Sequence, residues 1–280
     1  MYDPVDKINN KDTKTNMNFE HIDTSILQQV KSACQLIDKH LGEILNSIYL
    51  YGSTLHGGLK PLSDIDLLVT VDAPLLEQQR QQLMSELLTV SAWSGSDPKQ
   101  RALEVTVLLN ESVKKWHYPP RRELQFGEWL RDDIVSGIFE PPQIDPDIAI
   151  LLTKVHQHSI AILGNDAAHS FPPIPFSDLS KALKATLEQW NDQDDWEHDE
   201  CNIILALARI LYTLSTQKIA SKSEAADWLL HRINTPSHYQ LLSAAQRTYL
   251  TGEIFDVSNS KAIEDFILTI KSQCEERLAK

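Results

Sequence analysis

Asp64 and Asp66 stand one residue apart at the head of an apolar run, SDIDLLVTV from Ser63 to Val71. In a strand, successive side chains alternate faces, so the two carboxylates point the same way while Ile65 points into the core. Carboxylates held side by side repel each other unless a cation lies between them. That geometry suits a hard ion such as Mg2+, which is held by one or two carboxylates plus substrate phosphates. Upstream, another apolar run ends in Gly52-Ser53, where a turn offers backbone N–H groups and a hydroxyl to those phosphates. The chemistry suggested is metal-assisted nucleotidyl transfer. An Asp-x-Asp alone usually marks a solvated strand end. Gly-Ser, nine residues, then Ser-Asp-x-Asp, with apolar strands on both sides, is far more restrictive.

The full pattern resembles the signature of the polymerase-β-like nucleotidyltransferase superfamily, which asks for a third carboxylate on a neighbouring strand. Arg101 to Asn110 reads RALEVTVLLN, a β-branched, apolar run in which Glu104 is the only acid. An unpaired carboxylate in such a run is costly, so Glu104 is expected to face a metal, a cation or a substrate. A strand-end salt bridge or a solvent-facing Glu is the plainer alternative. Beside the Asp-x-Asp, Glu104 is the best candidate for the third acid.

The elements that must position these groups fall into two halves. Apolar residues at helical spacing (Ile26, Leu27, Val30, Ala33, Cys34, Ile37, Leu41) predict a helix before the first strand, and Pro74 to Val90 predicts another after the second. This alternation implies a mixed α/β sheet flanked by helices. Asp147 to Leu163 is also helical by pattern. Beyond the interruption FPPIPF (Phe171 to Phe176), helical periods recur at 177–190, 199–215, 222–230, 237–250 and 261–279, with no convincing strand. The expected organisation is a polar, disordered tail over residues 1–17, an α+β domain over 18–174 and an all-α helical bundle over 175–280.

Composition narrows the partners. Against 26 Lys and Arg stand 39 Asp and Glu, a net charge of −13. Such an excess argues against a nucleic-acid substrate, whose phosphates need clustered cations, and favours a small cationic one. Three widely spaced cysteines give neither a disulfide framework nor a zinc spacing, as expected in a reducing cytoplasm. No signal peptide and no long apolar run is seen, so no membrane partner is expected.

Residues 190–199, WNDQDDWEHD, place five acids between and after Trp190 and Trp196, near the join of the halves. They form either a solvated loop capping the next helix or a pocket for a polyamine or guanidino ligand, with carboxylates for ion pairs and indoles for cation–π contact. Composition alone favours neither. On the helix that follows, Asp199, Asn202 and Arg209 border the apolar stripe of Ile203, Leu207, Ile210 and Leu214, which suits a cleft between domains. Arg209 is then available to a triphosphate.

LYGSTLHGGLKPLSDIDLLVTV, ALEVTVLL, ELQFGEWLRDDI and DECNIILALARILYTLSTQKIASKSEAADWLL together resemble the aminoglycoside (3″)(9) adenylyltransferases, from about Phe19 to the C-terminal helices. The resemblance implies bacterial, cytoplasmic enzymes that transfer AMP from ATP to streptomycin and spectinomycin. It implies Mg2+, two ions, on Asp64, Asp66 and Glu104, with Glu104 also the catalytic base. Gly52, Ser53 and Ser63 fall in the phosphate loop with Asp64, and Asp147, Arg209 and Lys222 where the family contacts ATP. Glu104, Trp129, Trp190, Asp195, Asp199 and Asn202 fall at antibiotic-binding positions. Trp129 with Asp195 would mark acceptance of streptomycin as well as spectinomycin, although Trp129 in FGEWLRDDI could simply pack its helix on the sheet. Some members carry His where this chain has Asn202, which would make that contact a weaker hydrogen bond. The expectation is a monomer with its site between the domains. Rival readings are adenylylation of another small alcohol or a protein, and an idle nucleotide-binding module.

Overall fold

The computed structural model describes residues 17–55, 58–97 and 99–280. The expected tail lies outside this range except for Met17, which packs on the first core, next to Asn18, whose N–H donates to the Ile162 carbonyl at 2.7 Å.

Helix α1 (Leu27–Leu41) buries Val30, Ala33, Cys34, Ile37 and Leu41, the stripe that helical spacing dictates. Then come β1 (Leu45–Tyr51), β2 (Ile65–Val71), α2 (Glu77–Leu87), β3 (Leu103–Leu109), α3 (Asn110–Lys114), β4 (Arg121–Arg122), β5 (Leu124–Phe126), α4 (Arg131–Val135), β6 (Gln143–Ile144), α5 (Ile148–Gln157), β7 (Ser159–Leu163) and α6 (Ala167–Ser170). Five strands form one mixed sheet in the order β5-β3-β2-β1-β7, in which only β2 and β3 run parallel. One face of the sheet carries Ile48, Leu50, Leu67, Val69, Val105 and Val107 onto α1, α2 and α4. The other carries Tyr49, Tyr51, Leu68 and Leu108 onto α3, α5 and α6.

One sequence expectation is corrected here. Residues 147–163 do not form one helix: α5 stops at Gln157 and SIAIL becomes the edge strand β7, pairing antiparallel with β1. Short apolar runs read alike as helix or strand. What decides is the free edge of β1, whose backbone groups need partners that only an extended 159–163 supplies.

After the Pro-rich segment follow α7 (Phe176–Leu187), α8 (Glu200–Thr216), α9 (Lys222–Leu230), α10 (Pro236–Thr251) and α11 (Ser260–Leu278), each within a few residues of its expected range. They share their own core, with Leu183, Trp196, Leu207, Leu229, Leu242 and Phe266 buried around the central α8. The fold is thus the expected α+β domain followed by a helical one. Helix α5 serves both: Ile148, Leu151, Leu152 and Val155 pack on the sheet, while Ile150 joins the helical core. Among the described residues, no helix is long and apolar enough to cross a membrane.

Candidate active site

Strand pairing assembles the centre of the site. Tyr51 on β1 is in register with Asp66 on β2, and Asp66 with Glu104 on β3, so the three side chains stand in a row on the α5 side of the sheet. The two carboxyl groups hydrogen-bond each other. Burial drives Asp66 well above the usual carboxylate range, and the adjacent Glu104 adds to it. Burial also raises Glu104, which the charge of Lys154 opposes. Gln125 on β5 donates from Nε2 to Glu104 Oε1 at 3.1 Å, and its own Oε1 accepts from Thr106 Oγ1 at 2.7 Å. That second contact orients the Gln125 amide so that its NH2 group faces the acid.

The loop before β2 is clamped from the segment that leads into β3. Arg101 Nη1 reaches the carbonyls of Lys60, Pro61 and Ser63 at 2.8, 3.3 and 2.9 Å, which fixes the Ser63-Asp64 backbone. Ser63 Oγ accepts from Lys60 N at 3.0 Å and is also hydrogen-bonded by the Tyr249 hydroxyl from α10, a direct tie between the two domains. Asp64 is raised by burial and accepts from Ser94 Oγ at 2.6 Å. Replacing Arg101 with Met is expected to cost about 1–3 kcal/mol of stability, because three carbonyls lose their donor, and to raise KM for the nucleotide more than it lowers kcat. Thermal unfolding with steady-state kinetics checks this; an unchanged KM would show that the loop holds itself.

Facing the acids are three cations. Lys154 comes from α5, Arg209 from α8 and Lys222 from the first turn of α9. Burial lowers all three, and repulsion from Arg209 adds to it at Lys154, pushed down to about 8, and at Lys222. Lys222 Nζ donates to Asn202 Oδ1 at 3.0 Å, and Asn202 Nδ2 donates to Asp199 Oδ1 at 2.7 Å, so Asp199 and Asn202 bear on the site through Lys222.

Two cavities open onto this centre. The first, about 240 Å³, is lined by Gly52, Ser53, Ser63, Asp64, Lys222 and Tyr249 among others. The second, about 350 Å³, is lined by Trp129, Arg122, Gln125, Asp145, Asp147 and Thr186 among others. Asp66, Glu104, Lys154 and Arg209 line both, so the carboxylate pair is the wall where the two meet.

Most residues named from sequence converge here, and some do not. Asp147, grouped above with the nucleotide contacts, lies on the second cavity and accepts from Thr186 Oγ1 at 3.0 Å. Trp129 is 54% exposed on that cavity, its ring folded back over Gly127, where an added Cβ would lie 2.1 Å from the indole. The missing side chain of Gly127 is what lets the indole lie there. The 190–199 stretch sits between α7 and α8 rather than at the join of the domains. Trp196 is 2% exposed in the helical core, so it is no pocket wall. Trp190 packs partly buried on the same core, and its carbonyl accepts from Lys271 at 2.7 Å. Asp195 Oδ2 accepts from the N–H groups of Asn191 and Asp192 at 2.7 and 3.2 Å, and neither Trp190 nor Asp195 lines either cavity. Sequence reasoning missed Lys154, Tyr249, Arg101 and Gln125. Only Lys154 left a signal, a lone cation inside the apolar IAILLTKV.

Among the described residues, no three acidic, His or Cys side chains converge as a ready metal site. Asp66 and Glu104 face each other, and Asp64 is turned to Ser94. Two buried, mutually repelling carboxyls with a third alongside are still the donor set that Mg2+ takes when substrate phosphates complete its shell.

Comparison with known proteins places the chain in a family. Residues 29–125 match the nucleotidyltransferase domain family, and residues 169–273 match the C-terminal domain of aminoglycoside adenylyltransferases. The chain is 44% identical to the aminoglycoside (3″)(9) adenylyltransferase of Klebsiella pneumoniae over 93% of its own length and 99% of the relative's. It belongs to the aminoglycoside (3″)(9) adenylyltransferase family. The spectinomycin 9-adenylyltransferase of Staphylococcus aureus is 35% identical over 81% of this adenylyltransferase and 86% of its own chain. A spectinomycin adenyltransferase from Enterococcus faecalis, solved with ATP and spectinomycin, superposes with a TM-score of 0.80 at 31% identity, over 90% of this chain and 99% of the other. The adenylyltransferase is therefore a nucleotidyltransferase of two domains.

Proposed function

We propose that this adenylyltransferase transfers AMP from ATP to the 3″ hydroxyl of streptomycin and the 9 hydroxyl of spectinomycin, releasing pyrophosphate. The observation that carries the reading is that two cavities meet at the Asp66–Glu104 wall, one holding the Gly52-Ser53 turn, Ser63 and Lys222 and the other holding Trp129 and Asp147. In the first, the Gly52-Ser53 turn, Ser63 and the cations Arg209 and Lys222 receive the triphosphate. Asp147 acts on the acceptor side in this assignment. In the second cavity, the indole of Trp129 with Asp147 suits a cationic aminocyclitol, while Asp145 is already paired with Arg122 at 2.9 Å. Asp199 and Asn202 act by holding Lys222.

Glu104 accepts the proton of the acceptor hydroxyl while that oxygen bonds the α-phosphorus. The bond to the β-phosphate bridging oxygen breaks, and its electron pair leaves with pyrophosphate. Gln125 keeps the Glu104 carboxylate aimed, and the cations stabilise charge developing on the phosphoryl oxygens. Asp64, Asp66 and Glu104 would hold Mg2+, two ions, which supplies neutralisation of phosphate charge. The acceptor is a small cation rather than a nucleic acid, and the enzyme acts as a cytoplasmic monomer.

The deciding assay is pyrophosphate release with ATP, Mg2+ and, in turn, streptomycin, spectinomycin and kanamycin. Release with the first two and not the third is the expected result, and nucleotide binding without release on any of them would overturn the proposal. In the same assay Trp129→Ala should lower kcat/KM for streptomycin by roughly 30-fold, the upper end of a cation–π contact, with spectinomycin within about threefold and Tm unchanged. Asp195→Ala should lose streptomycin turnover together with Tm, because that carboxylate caps the 191–195 turn. Equal losses on both antibiotics would show that neither residue discriminates.

A further inference from the structure

We propose that Lys154 is a catalytic residue of this enzyme, its ammonium contacting the α-phosphoryl group where the two cavities meet. The inference rests on the adenylyl transfer proposed above. It adds a third cation, one carried by the element that belongs to both domains.

The sequence around Lys154 is hostile to charge. Helix α5 reads IAILLTKVHQ, and Ile148, Leu151, Leu152 and Val155 from it are buried in the core under the sheet. An ammonium in such surroundings is expensive unless something compensates it. Among the described residues, no carboxylate oxygen lies within 4.0 Å of Lys154 Nζ and no hydrogen bond is made to it. Its electrostatic neighbours are Asp66 and Glu104 on the sheet, and Arg209 and Lys222 on the helical domain. Lys222, by contrast, already has a partner in Asn202. Among the described residues, Lys154 is therefore a charge with neither a hydrogen bond nor a contact ion pair, and it lines both cavities.

The position says which anion would complete it. Among the described residues, only Asp66, Glu104, Lys154 and Arg209 line the two cavities together. In the proposed reaction, the group that occupies that seam is the α-phosphoryl, with the acceptor oxygen on one side and the leaving pyrophosphate on the other. Its non-bridging oxygens gain charge as the new P–O bond forms, and a preorganised ammonium in a water-poor site stabilises that charge at no cost of reorganisation. Before nucleotide arrives, the same ammonium faces the carboxylates that would hold the metal, so it competes with a divalent cation there. Lys154 thus opposes metal alone and favours metal together with nucleotide.

That opposition provides a test that a merely structural lysine would fail. Lys154→Met and Lys154→Arg should be compared with the intact full-length enzyme. Mn2+ binding without nucleotide is followed by electron paramagnetic resonance, and binding of α,β-methylene-ATP by calorimetry. Pyrophosphate release is measured with both antibiotics. For Lys154→Met the expected results are Mn2+ affinity raised at least about threefold by removal of a like charge, α,β-methylene-ATP affinity lowered about tenfold by loss of a charge-assisted contact, and turnover lowered roughly 10²–10³-fold. Lys154→Arg should restore most of the nucleotide affinity. Weakened binding of both Mn2+ and the analogue would make Lys154 a structural support and overturn the inference. So would unchanged analogue affinity, or turnover within threefold of the unmodified enzyme. If the unmodified enzyme releases no pyrophosphate with any acceptor, the functional proposal fails while the two binding measurements still decide Lys154.

Discussion

Glu104→Gln should lower turnover by about 10²–10⁴-fold while leaving ATP affinity within a few-fold. In the proposed reaction the carboxylate takes the acceptor proton: it is held by Gln125, buried in register with Asp66, and lines both cavities. Gln keeps the shape and can still accept from Gln125, but it cannot take a proton. The same substitution should make the chelator-treated protein more stable. Burial, with the charge of Asp64 adding to it, raises the Glu104 carboxyl, so the fold favours its protonated form. The stability from that preference is present below the ordinary carboxylate range and is lost as pH rises through the raised value. A neutral amide escapes the loss, so the variant should gain about 2–4 °C in Tm at neutral pH and little at acidic pH. Near-normal pyrophosphate release by Glu104→Gln would sink the base assignment, and a lower Tm at neutral pH would contradict the electrostatic account.

Gly52→Ala should be nearly as damaging, by a different route. Gly52 lies at φ +78°, and a Cβ there would sit 1.9 Å from Asp66 Oδ2. The left-handed backbone disfavours any side chain, and the overlap falls on the carboxylate at the centre of the site. Strain and overpacking together should cost about 2–4 kcal/mol, lowering Tm by roughly 5–15 °C. Turnover should fall at least about 100-fold because Asp66 must move. Gly58→Ala is the control, since Gly58 has a similar φ of +74° and nothing within 4 Å of an added Cβ. It should show a backbone cost without the catalytic loss. Equal kinetics for the two variants would mean that the Gly52 turn is not what seats Asp66.

The helical domain shows how far local pattern carries. Each of its five helices was legible from apolar period alone, because helix residues three and four apart share a face whatever they pack against. Residues 159–163 show the limit, since their state depends on the open edge of β1, more than a hundred residues earlier in the chain. The acidic stretch at 190–199 shows another. Its composition fitted a ligand pocket and a solvated loop equally, and in the structure Trp196 went to the core and Asp195 to backbone N–H groups of its own turn.

By itself the sequence determined the chemistry and the cast. Gly52-Ser53, Ser63-Asp64-x-Asp66 and Glu104 are legible because alternation along a strand puts acids two apart on one face, and because a lone acid in an apolar run is costly. Only the tertiary structure decided which groups meet. Strand register put Tyr51, Asp66 and Glu104 in one row, and the docking of α8, α9 and α10 brought Arg209, Lys222 and Tyr249 over them. The division of the site into two cavities, with Asp147 on the second and Lys154 at the seam, was not legible in advance. Such distances are set by packing between segments far apart in the chain, and no local period encodes them.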